Sequence, residues 1–371
     1  MQSFKIKPVI IQFDTMQEFY EQFPLGKGDL LLVSNSIYKN YFAKYEGDMK
    51  IINCGRYGKG EPTDQMVEAI LRDLAGVSYD RVIAVGGGAI LDVAKLFSLE
   101  NIEPLMDLYD KKLPICKSKR LILIPTTCGT GSEVTNISVL EFKQRNTKIG
   151  LATDELYADY AILIPELLEK LPFNYFATSS IDALIHAIES FTSPKANEFT
   201  RIFAKKAMEI ILSSYKKIVE EGQEARKGLL KEFLIASTYA GISFGNAGCA
   251  AVHAMSFPFG GAYHVPHGEA IYVLFNGVYR KYMELKPEGA IEELNTILQQ
   301  VLECRYEEVY EVLGSLLNNI LPKKSLREYG VLEEELMEFA ESVIKRQQRL
   351  MVNSYVTLNQ EDVYEIYRSL Y

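Results

Sequence analysis

The strongest constraint on the fold is a change in the pattern of apolar residues near residue 170. Up to about residue 165, short apolar runs alternate with helical patterns, whereas after Pro172 only the helical period recurs. Apolar runs of strand length separated by helices are typical of a parallel sheet that is buried on both faces. We therefore predict an α/β domain over residues 1–175 and an all-helical domain over residues 176–371, with an active site in the cleft between them.

The individual elements follow from the same patterns. Strands are predicted at residues 29–35, 49–54, 81–87, 120–126 and 160–165, and a β-hairpin at 139–153. Helices are predicted at residues 63–77, 198–222, 224–244, 289–303, 305–320, 333–351 and 360–371. No strand is expected after Pro172.

The chain has four histidines in two short segments, and one of them follows a carboxylate at helical spacing. His186 comes four residues after Asp182, while His253, His264 and His267 share one segment. On a helix, residues four apart lie on the same face, so Asp182 and His186 can hold one ion between them. Imidazoles with a carboxylate suit a borderline divalent ion such as Fe²⁺ or Zn²⁺.

A structural role explains the first pair equally well. Ser179 and Asp182 fit a helix-start pattern, in which Asp182 is only an acid of the first turn. His186 is then a core histidine beside its apolar neighbours. The histidines downstream favour the metal, because a Gly-rich loop with the sequence Pro-His-Gly is a better place for a ligand than for a core histidine.

Two loops that follow predicted strands suggest a phosphate site. Gly86, Gly87 and Gly88 connect a strand to a helix, where backbone N–H groups can approach an anion closely. The usual GxGxxG fingerprint is absent, and a simple tight turn is the alternative. Asp92, further along the helix, is either a first-turn acid or a polar contact to the cofactor.

The second loop contains the hydroxyls of Thr126, Thr127 and Thr130 between glycines. Two such loops at the carboxyl ends of parallel strands are where a nucleotide binds in an open α/β sheet. A Ser/Thr-rich helix cap is the alternative, and it explains one loop better than two.

Composition excludes several classes of partner. There are 40 basic and 49 acidic residues and no basic run, so we do not expect nucleic-acid binding. The N-terminus lacks the long apolar region of a signal peptide, and the longest apolar runs are too short for a membrane span. Five widely spaced cysteines without CxxC indicate reduced thiols, which are typical of a cytoplasmic protein.

Four segments in this order resemble the iron-containing, or group III, alcohol dehydrogenases: GGGAILDVAK, PTTCGTGSE, DALIHAIES and VHAMSFPFGGAYHVPHG. The resemblance implies a Rossmann-like N-terminal domain related to dehydroquinate synthase, a helical C-terminal domain and a homodimer or higher homo-oligomer. It implies a metal held by Asp182, His186, His253 and His267. It implies NAD contacts at Gly87, Gly88, Thr126, Thr127, Thr130 and Lys148.

Three positions depart from the family pattern. Phe257 stands where members commonly have a histidine, so a proton relay through that imidazole is not available. Ala89 replaces a serine near the phosphates. Asn35 ends a strand where many members have an aspartate that bonds the ribose and repels a 2′-phosphate, so NAD is preferred but NADP is possible.

The expected reaction is hydride transfer between NAD(H) and a small alcohol or aldehyde, with Fe²⁺ preferred and Zn²⁺ possible as the Lewis acid. Within the family, the segments favour 4-hydroxybutyrate and succinate semialdehyde as substrates. A broad-range alcohol, butanol or lactaldehyde dehydrogenase and a dehydroquinate synthase-like lyase are the alternatives. His264 and Tyr263 are expected to relay the proton, and packing of His264 against the loop is the alternative. Arg349, Arg145 and His264 are candidates to bind the substrate carboxylate.

Overall fold

The computed structural model describes residues 3–44, 47–58, 60–145 and 147–371, which include every residue predicted to bind or react. Of the predicted hairpin, residue 146 lies outside the described residues. The chain divides into two units: Ile6–Leu171, and Pro172–Tyr371 together with the N-terminal residues up to Lys5.

The first unit contains the strands of the described chain. They are β1 (Val9–Gln12), β2 (Asp29–Val33), β3 (Lys50–Asn53), β4 (Arg81–Gly86), β5 (Arg120–Pro125), β6 (Ile137–Phe142), β7 (Thr147–Ala152) and β8 (Tyr160–Leu163). Its helices are α1 (Met16–Gln22), α2 (Asn35–Ile37), α3 (Asp64–Asp73), α4 (Gly88–Phe97) and α5 (Leu105–Tyr109).

The second unit is helical. Its helices are α6 (Phe173–Thr192), α7 (Glu198–Glu221), α8 (Leu230–Ala247), α9 (Ala251–Tyr263), α10 (His267–Leu285), α11 (Ala290–Leu302), α12 (Val309–Ile320), α13 (Glu335–Arg346), α14 (Gln348–Met351) and α15 (Gln360–Ser369). Residues 172–371 are all described and contain no strand, as predicted. None of the described helices is long and apolar enough to cross a membrane.

Six parallel strands form the sheet of the first unit in the order β1-β8-β5-β4-β2-β3, while β6 and β7 pair as an antiparallel hairpin. The predicted α/β class, the five predicted strands and the hairpin are confirmed. The predicted strand at residues 29–35 ends earlier, because the Ser34 side chain accepts a hydrogen bond from Ile37 N and starts α2. Strand β1 was not predicted, although Val9, Ile10 and Ile11 form a short apolar run; it lies at the edge of the sheet, where its side chains are exposed or half-buried.

The order of the strands fixes where a ligand can bind in this unit. From β2 the chain moves outward to β3 and then returns to β4 on the other side of β2. Such a reversal opens a crevice at the carboxyl ends of the two central strands, where ligands bind in open α/β sheets. Asn35 follows one of these strands, and residues 86–88 form the end of the other strand and the turn after it.

The prediction that His253 and His267 lie in a Gly-rich loop is wrong. His253 lies inside α9, and His267 is the first residue of α10. Helix α9 contains Pro258 and several small or apolar residues on every face, so its sequence lacks the polar stripe that identifies a surface helix. Only residues 264–266 form the tight connection between the two helices.

The proposed helix start at Ser179 is also wrong. Helix α6 begins at Phe173, after Pro172, so Asp182 lies in its third turn rather than its first. Asp182 therefore does not act as an N-terminal capping acid. Its burial, with only 3% of its surface exposed, requires another explanation.

Gly268 lets the start of α10 touch the backbone of α6. A Cβ atom at this position would lie 2.3 Å from the carbonyl oxygen of Thr178, which is four residues before Asp182. Since only glycine permits this contact, Gly268 determines how closely His267 approaches Asp182.

We expect Gly268→Ala to lower the free energy of unfolding by about 1–3 kcal/mol, because the clash involves backbone atoms that cannot rotate away. Gly261→Ala in α9 is the matched control, since its Cβ would meet no atom within 4 Å. There we expect stability to be unchanged or up to about 1 kcal/mol higher, because alanine favours helix. Denaturant unfolding measures both, and equal effects would contradict the packing argument.

Candidate metal centre and cofactor loops

Three helices of the second unit bring the four predicted metal ligands together. The distances to Asp182 Oδ1 are 3.5 Å from His186 Nδ1, 3.7 Å from His253 Nε2 and 3.9 Å from His267 Nε2. Ligand atoms about 3.4 Å apart surround a tetrahedral ion with bonds of about 2.1 Å. The three distances to Asp182 are slightly longer than this, and the ligand atoms of Asp182, His253 and His267 all lie within 4.8 Å of one another.

Two of these atoms are buried and lack a hydrogen-bond partner among the described residues. They are Asp182 Oδ1 and His253 Nε2, which face each other across the cluster. A buried polar atom without a partner costs roughly 1–3 kcal/mol, more when charged. A cation between them removes this cost for both atoms at once, so the donor set fits a divalent metal.

A buried glutamate that the sequence analysis did not single out fixes the orientation of His253. Glu189 is fully buried in α6, and its Oε2 lies 2.6 Å from His253 Nδ1. The carboxylate also accepts hydrogen bonds from the backbone N–H groups of Ala250 and Val252, at 2.9 and 2.6 Å. A carboxylate at Nδ1 places the ring proton there and leaves the Nε2 lone pair free for a metal.

The same glutamate starts α9. Ala250, at the N-cap position, has no side-chain oxygen to accept a hydrogen bond from the first turn. Glu189 supplies that acceptor from another helix and places a negative charge at the positive helix end. The sequence contains a signal that could have identified Glu189. It follows His186 by three residues and Asp182 by seven, so the three side chains lie on the same face of α6.

The charges of the site influence one another strongly. Burial alone would raise the pKa of Asp182, but the nearby imidazoles of His186, His253 and His267 hold it below its usual range. Burial likewise favours neutral His253, but Glu189 and Asp182 outweigh it and raise the pKa of His253 to about 9. The pair of acids thus increases the basicity of the ring that a metal would bind.

Two further side chains surround His186. The Phe244 ring stacks on the His186 ring with centroids 4.1 Å apart, and His253 stacks at 4.6 Å. Cys249 forms a second group with His186 and His253, in which the possible ligand atoms all lie within 4.8 Å of one another. Burial, followed by the charges of Glu189 and Asp182, raises the pKa of the Cys249 thiol well above its usual value.

The two predicted cofactor loops lie next to each other in the first unit. Thr126 N donates a hydrogen bond to Gly86 O at 3.0 Å. A Cβ on Gly88 would lie 2.6 Å from the Thr130 side chain, whereas one on Gly87 would meet Thr127 only at 3.5 Å. The absence of a side chain at Gly88 therefore lets the two loops pack together, while the N–H groups that begin α4 stay close to the threonine hydroxyls.

Asp92 is not an acid of the first turn, and its contact with a cofactor stays a prediction. Helix α4 begins at Gly88, so Asp92 lies in its second turn. Its Oδ1 accepts hydrogen bonds from Ser132 Oγ at 2.5 Å and Lys95 Nζ at 3.1 Å, and its Oδ2 accepts one from Val139 N at 3.0 Å. These contacts join α4 to the second loop and to β6, which is a structural role.

The two other predicted cofactor residues lie at different places in the same unit. Asn35 is exposed at the start of α2, beside the carboxyl end of β2. Lys148 lies in β7, and its Nζ is 3.2 Å from Glu61 Oε1. Their contact with a dinucleotide stays a prediction.

The two predicted proton-relay residues, Tyr263 and His264, lie in different surroundings. Tyr263 donates its hydroxyl hydrogen to Glu335, which raises the pKa of Tyr263 to about 12. His264 is exposed and ends α9 in the left-handed conformation, with φ of 53°. Phe257 takes the place next to His267, with ring centroids 6.3 Å apart.

Comparison with known proteins shows to which family the chain belongs. Residues 8–165 match the model for iron-containing alcohol dehydrogenase, and residues 176–371 match the C-terminal model of the Fe-containing alcohol dehydrogenase family. The chain belongs to the iron-containing alcohol dehydrogenase family. It is 48% identical over its whole length to 4-hydroxybutyrate dehydrogenase of Clostridium kluyveri, whose whole length is also covered. It is 34% identical to long-chain-alcohol dehydrogenase 1 of Geobacillus thermodenitrificans, over 79% of this chain and 75% of that protein.

Solved structures of the family share the fold. A structure described as an iron-containing alcohol dehydrogenase has a TM-score of 0.80 and 25% identity, covering 100% of this chain and 99% of the other. The 1,3-propanediol oxidoreductase has a TM-score of 0.86 at 24% identity, with both chains fully covered. The fold class is thereby confirmed as that of the iron-containing alcohol dehydrogenases.

Glu189→Gln tests the role of the buried carboxylate in this alcohol dehydrogenase. We expect affinity for Zn²⁺ or Fe²⁺ to fall by about 10- to 100-fold, because the amide no longer fixes the ring proton on Nδ1 of His253. Competition with a chromophoric chelator measures the change. Glu232→Gln, an exposed glutamate of the same unit, is the control. Unchanged affinity in Glu189→Gln would exclude this role.

Metal affinity should also depend on pH. The metal-free protein holds a proton on His253 up to a pH of about 9, and a metal must displace it. Affinity should therefore increase with pH, by up to about tenfold per unit, and level off above the pKa of His253. Titrations of metal-free protein in buffers of different ionisation enthalpy will count the proton released. Binding without proton release near neutral pH would contradict the raised pKa.

Proposed function

We propose that this iron-containing alcohol dehydrogenase interconverts succinate semialdehyde and 4-hydroxybutyrate with NAD(H). The observation that carries the substrate is the 48% identity over the full length to 4-hydroxybutyrate dehydrogenase of Clostridium kluyveri. The cluster around Asp182 supports the metal requirement, because its unpartnered buried atoms fit a divalent cation.

The four clustered residues would hold the metal: Asp182, His186, His253 and His267. When bound, the metal supplies a Lewis acid for the carbonyl oxygen, and the nicotinamide ring supplies the hydride. Since the set contains one carboxylate, it leaves a net positive charge on a divalent ion, which favours alkoxide over alcohol. Fe²⁺ is the first choice, as the family description indicates, and Zn²⁺ is the alternative for the same ligand types.

The protein positions these ligands before substrate arrives. Glu189 holds His253 in the required tautomer, and Gly268 allows His267 to approach α6. Phe244 covers one face of the His186 ring and limits the water around the cluster. Fixed ligands in a largely dry site favour the polarised carbonyl without reorganisation during the reaction.

The glycine and threonine loops would bind the cofactor phosphates through backbone N–H groups and hydroxyls: Gly86, Gly87, Gly88, Thr126, Thr127 and Thr130. Asn35 carries no charge at the edge where an aspartate would repel a 2′-phosphate. We propose NAD as the cofactor, with NADP as the alternative that an assay with each nucleotide separates. Asp92 would support the loops rather than contact the nucleotide.

Proton transfer would use His264 rather than Tyr263. The Tyr263 hydroxyl is engaged with Glu335, and its pKa of about 12 makes it a poor base near neutral pH. His264 is open to solvent and can exchange protons with water. It would act through an intervening water, because Phe257 occupies the place of the usual family histidine.

The two alternatives from the sequence differ in their support. A dehydrogenase for other alcohols is favoured by the 34% identical long-chain-alcohol dehydrogenase, and a panel of aldehydes tests it. A dehydroquinate synthase-like lyase has no support, because both matching family models describe alcohol dehydrogenases. A homodimer or higher oligomer and a cytoplasmic location stay predictions.

The proposal is tested by NADH oxidation with succinate semialdehyde before and after chelation. We expect activity to be lost with the metal and restored by Fe²⁺ or Zn²⁺, because no protein side chain replaces the Lewis acid. His267→Ala should lose stoichiometric metal together with activity, as measured by elemental analysis. A rate that is insensitive to complete metal removal would exclude the metal role, and a preference for uncharged aldehydes would exclude the substrate.

A further inference from the structure

Arg349 is an arginine of the metal-binding unit without a carboxylate partner. It lies in the short helix α14, its side chain is exposed, and no acidic residue of the described chain lies within ion-pair distance of it. Arg145, the other arginine considered for substrate binding, is different. Its two terminal nitrogens donate to the two oxygens of Asp110, both at 2.8 Å.

The α14 segment packs against the start of α9, which carries His253. Asn353, four residues after Arg349, donates a hydrogen bond from Nδ2 to Cys249 O at 2.9 Å. The approach is close, because a Cβ on Gly248 would lie only 2.5 Å from Asn353 Nδ2. Arg349 therefore lies on a segment that is fixed to the residues immediately before α9.

Cys249 connects this segment to the metal ligands. The Cys249 sulfur and the nearest nitrogens of His186 and His253 lie within 4.8 Å of one another. The Asn353 side chain that binds Cys249 O also donates from Nδ2 to Arg349 O at 3.5 Å. The two hydrogen bonds of Asn353, to Cys249 O and to Arg349 O, thus place Arg349 beside the cluster.

The acids near the cluster have other partners. Glu189 accepts hydrogen bonds from two backbone N–H groups and lies against His253 Nδ1. Asp182 is surrounded by the three imidazoles. A positive charge beside the cluster is therefore available to an anion that arrives from solvent. A guanidinium binds a carboxylate best, because its two parallel N–H groups match the two oxygens.

The length of the proposed substrate agrees with this position. In succinate semialdehyde, two methylene groups separate the aldehyde carbon from the carboxylate carbon, a distance of about 4 Å in the extended chain. A carbonyl oxygen at the cluster therefore brings the carboxylate within one side-chain length of the ligands.

We propose that Arg349 binds the carboxylate of the substrate and thereby selects aldehydes that carry an acid group at the far end. This inference rests on the proposed function, since it assigns the specificity of the same site. Arg349 is a binding residue and takes no part in proton or hydride transfer.

The test compares Arg349→Met with the wild-type holoenzyme on two substrates of equal chain length, succinate semialdehyde and butanal. We expect kcat/KM for succinate semialdehyde to fall by about 10- to 100-fold, mainly through KM, because a charged hydrogen-bond pair is lost. We expect kcat/KM for butanal to stay the same or to increase. Arg349→Lys should retain part of the preference, as a point charge without the bidentate geometry.

Controls separate specificity from structure. Arg346→Met, at an exposed arginine at the end of α13, should leave both substrates unaffected. Metal content and NADH affinity of Arg349→Met should equal those of the wild type. Equal losses for both substrates, or loss of metal, would overturn the inference.

The outcomes also distinguish this inference from the proposed function. If the wild type shows no preference for succinate semialdehyde over butanal, the proposed substrate is wrong, and the inference fails with it. If the wild type shows the preference and Arg349→Met keeps it, only the assignment of Arg349 is wrong.

Discussion

The proposed metal centre depends on the burial of one carboxylate, Glu189. An isolated charge in a protein interior is strongly disfavoured, and here two backbone N–H groups and one imidazole compensate for it. These three contacts start α9, fix its position on α6 and orient His253. One interaction therefore connects helix formation, helix packing and ligand geometry, and none of the three can be altered without the others.

Asp182 presents the complementary situation. Within the described part of the chain, neither its buried Oδ1 nor the facing Nε2 of His253 has a hydrogen-bond partner. The close contact of Gly268 with α6 and the N-terminus of α9 keep these groups together although they do not satisfy each other. Packing thus maintains a local arrangement that is unfavourable until a cation is present, which is the usual relation between a rigid scaffold and a preorganised site.

The sequence predicted the fold class well where burial imposes a pattern. The central strands are apolar on both faces and were located from their residues, whereas the exposed edge strand β1 was missed. The ligand residues were recognisable by type and clustering, but the helix that carries His253 was not, because its apolar residues cover every face. Glu189 and the difference between Arg349 and Arg145 could not be predicted, since both depend on partners that are distant in the chain.

The four proposed ligands are not equally enclosed. Asp182, His186 and His253 are almost completely buried, whereas the side chain of His267 is 29% exposed. Solvent, and with it any competing chelator, reaches the cluster from the side of α10. We therefore expect the two sides of the site to influence different properties of metal retention. The Glu189–His253 pair would affect how tightly an ion is held, and the exposed His267 at the start of α10 would affect how quickly it leaves.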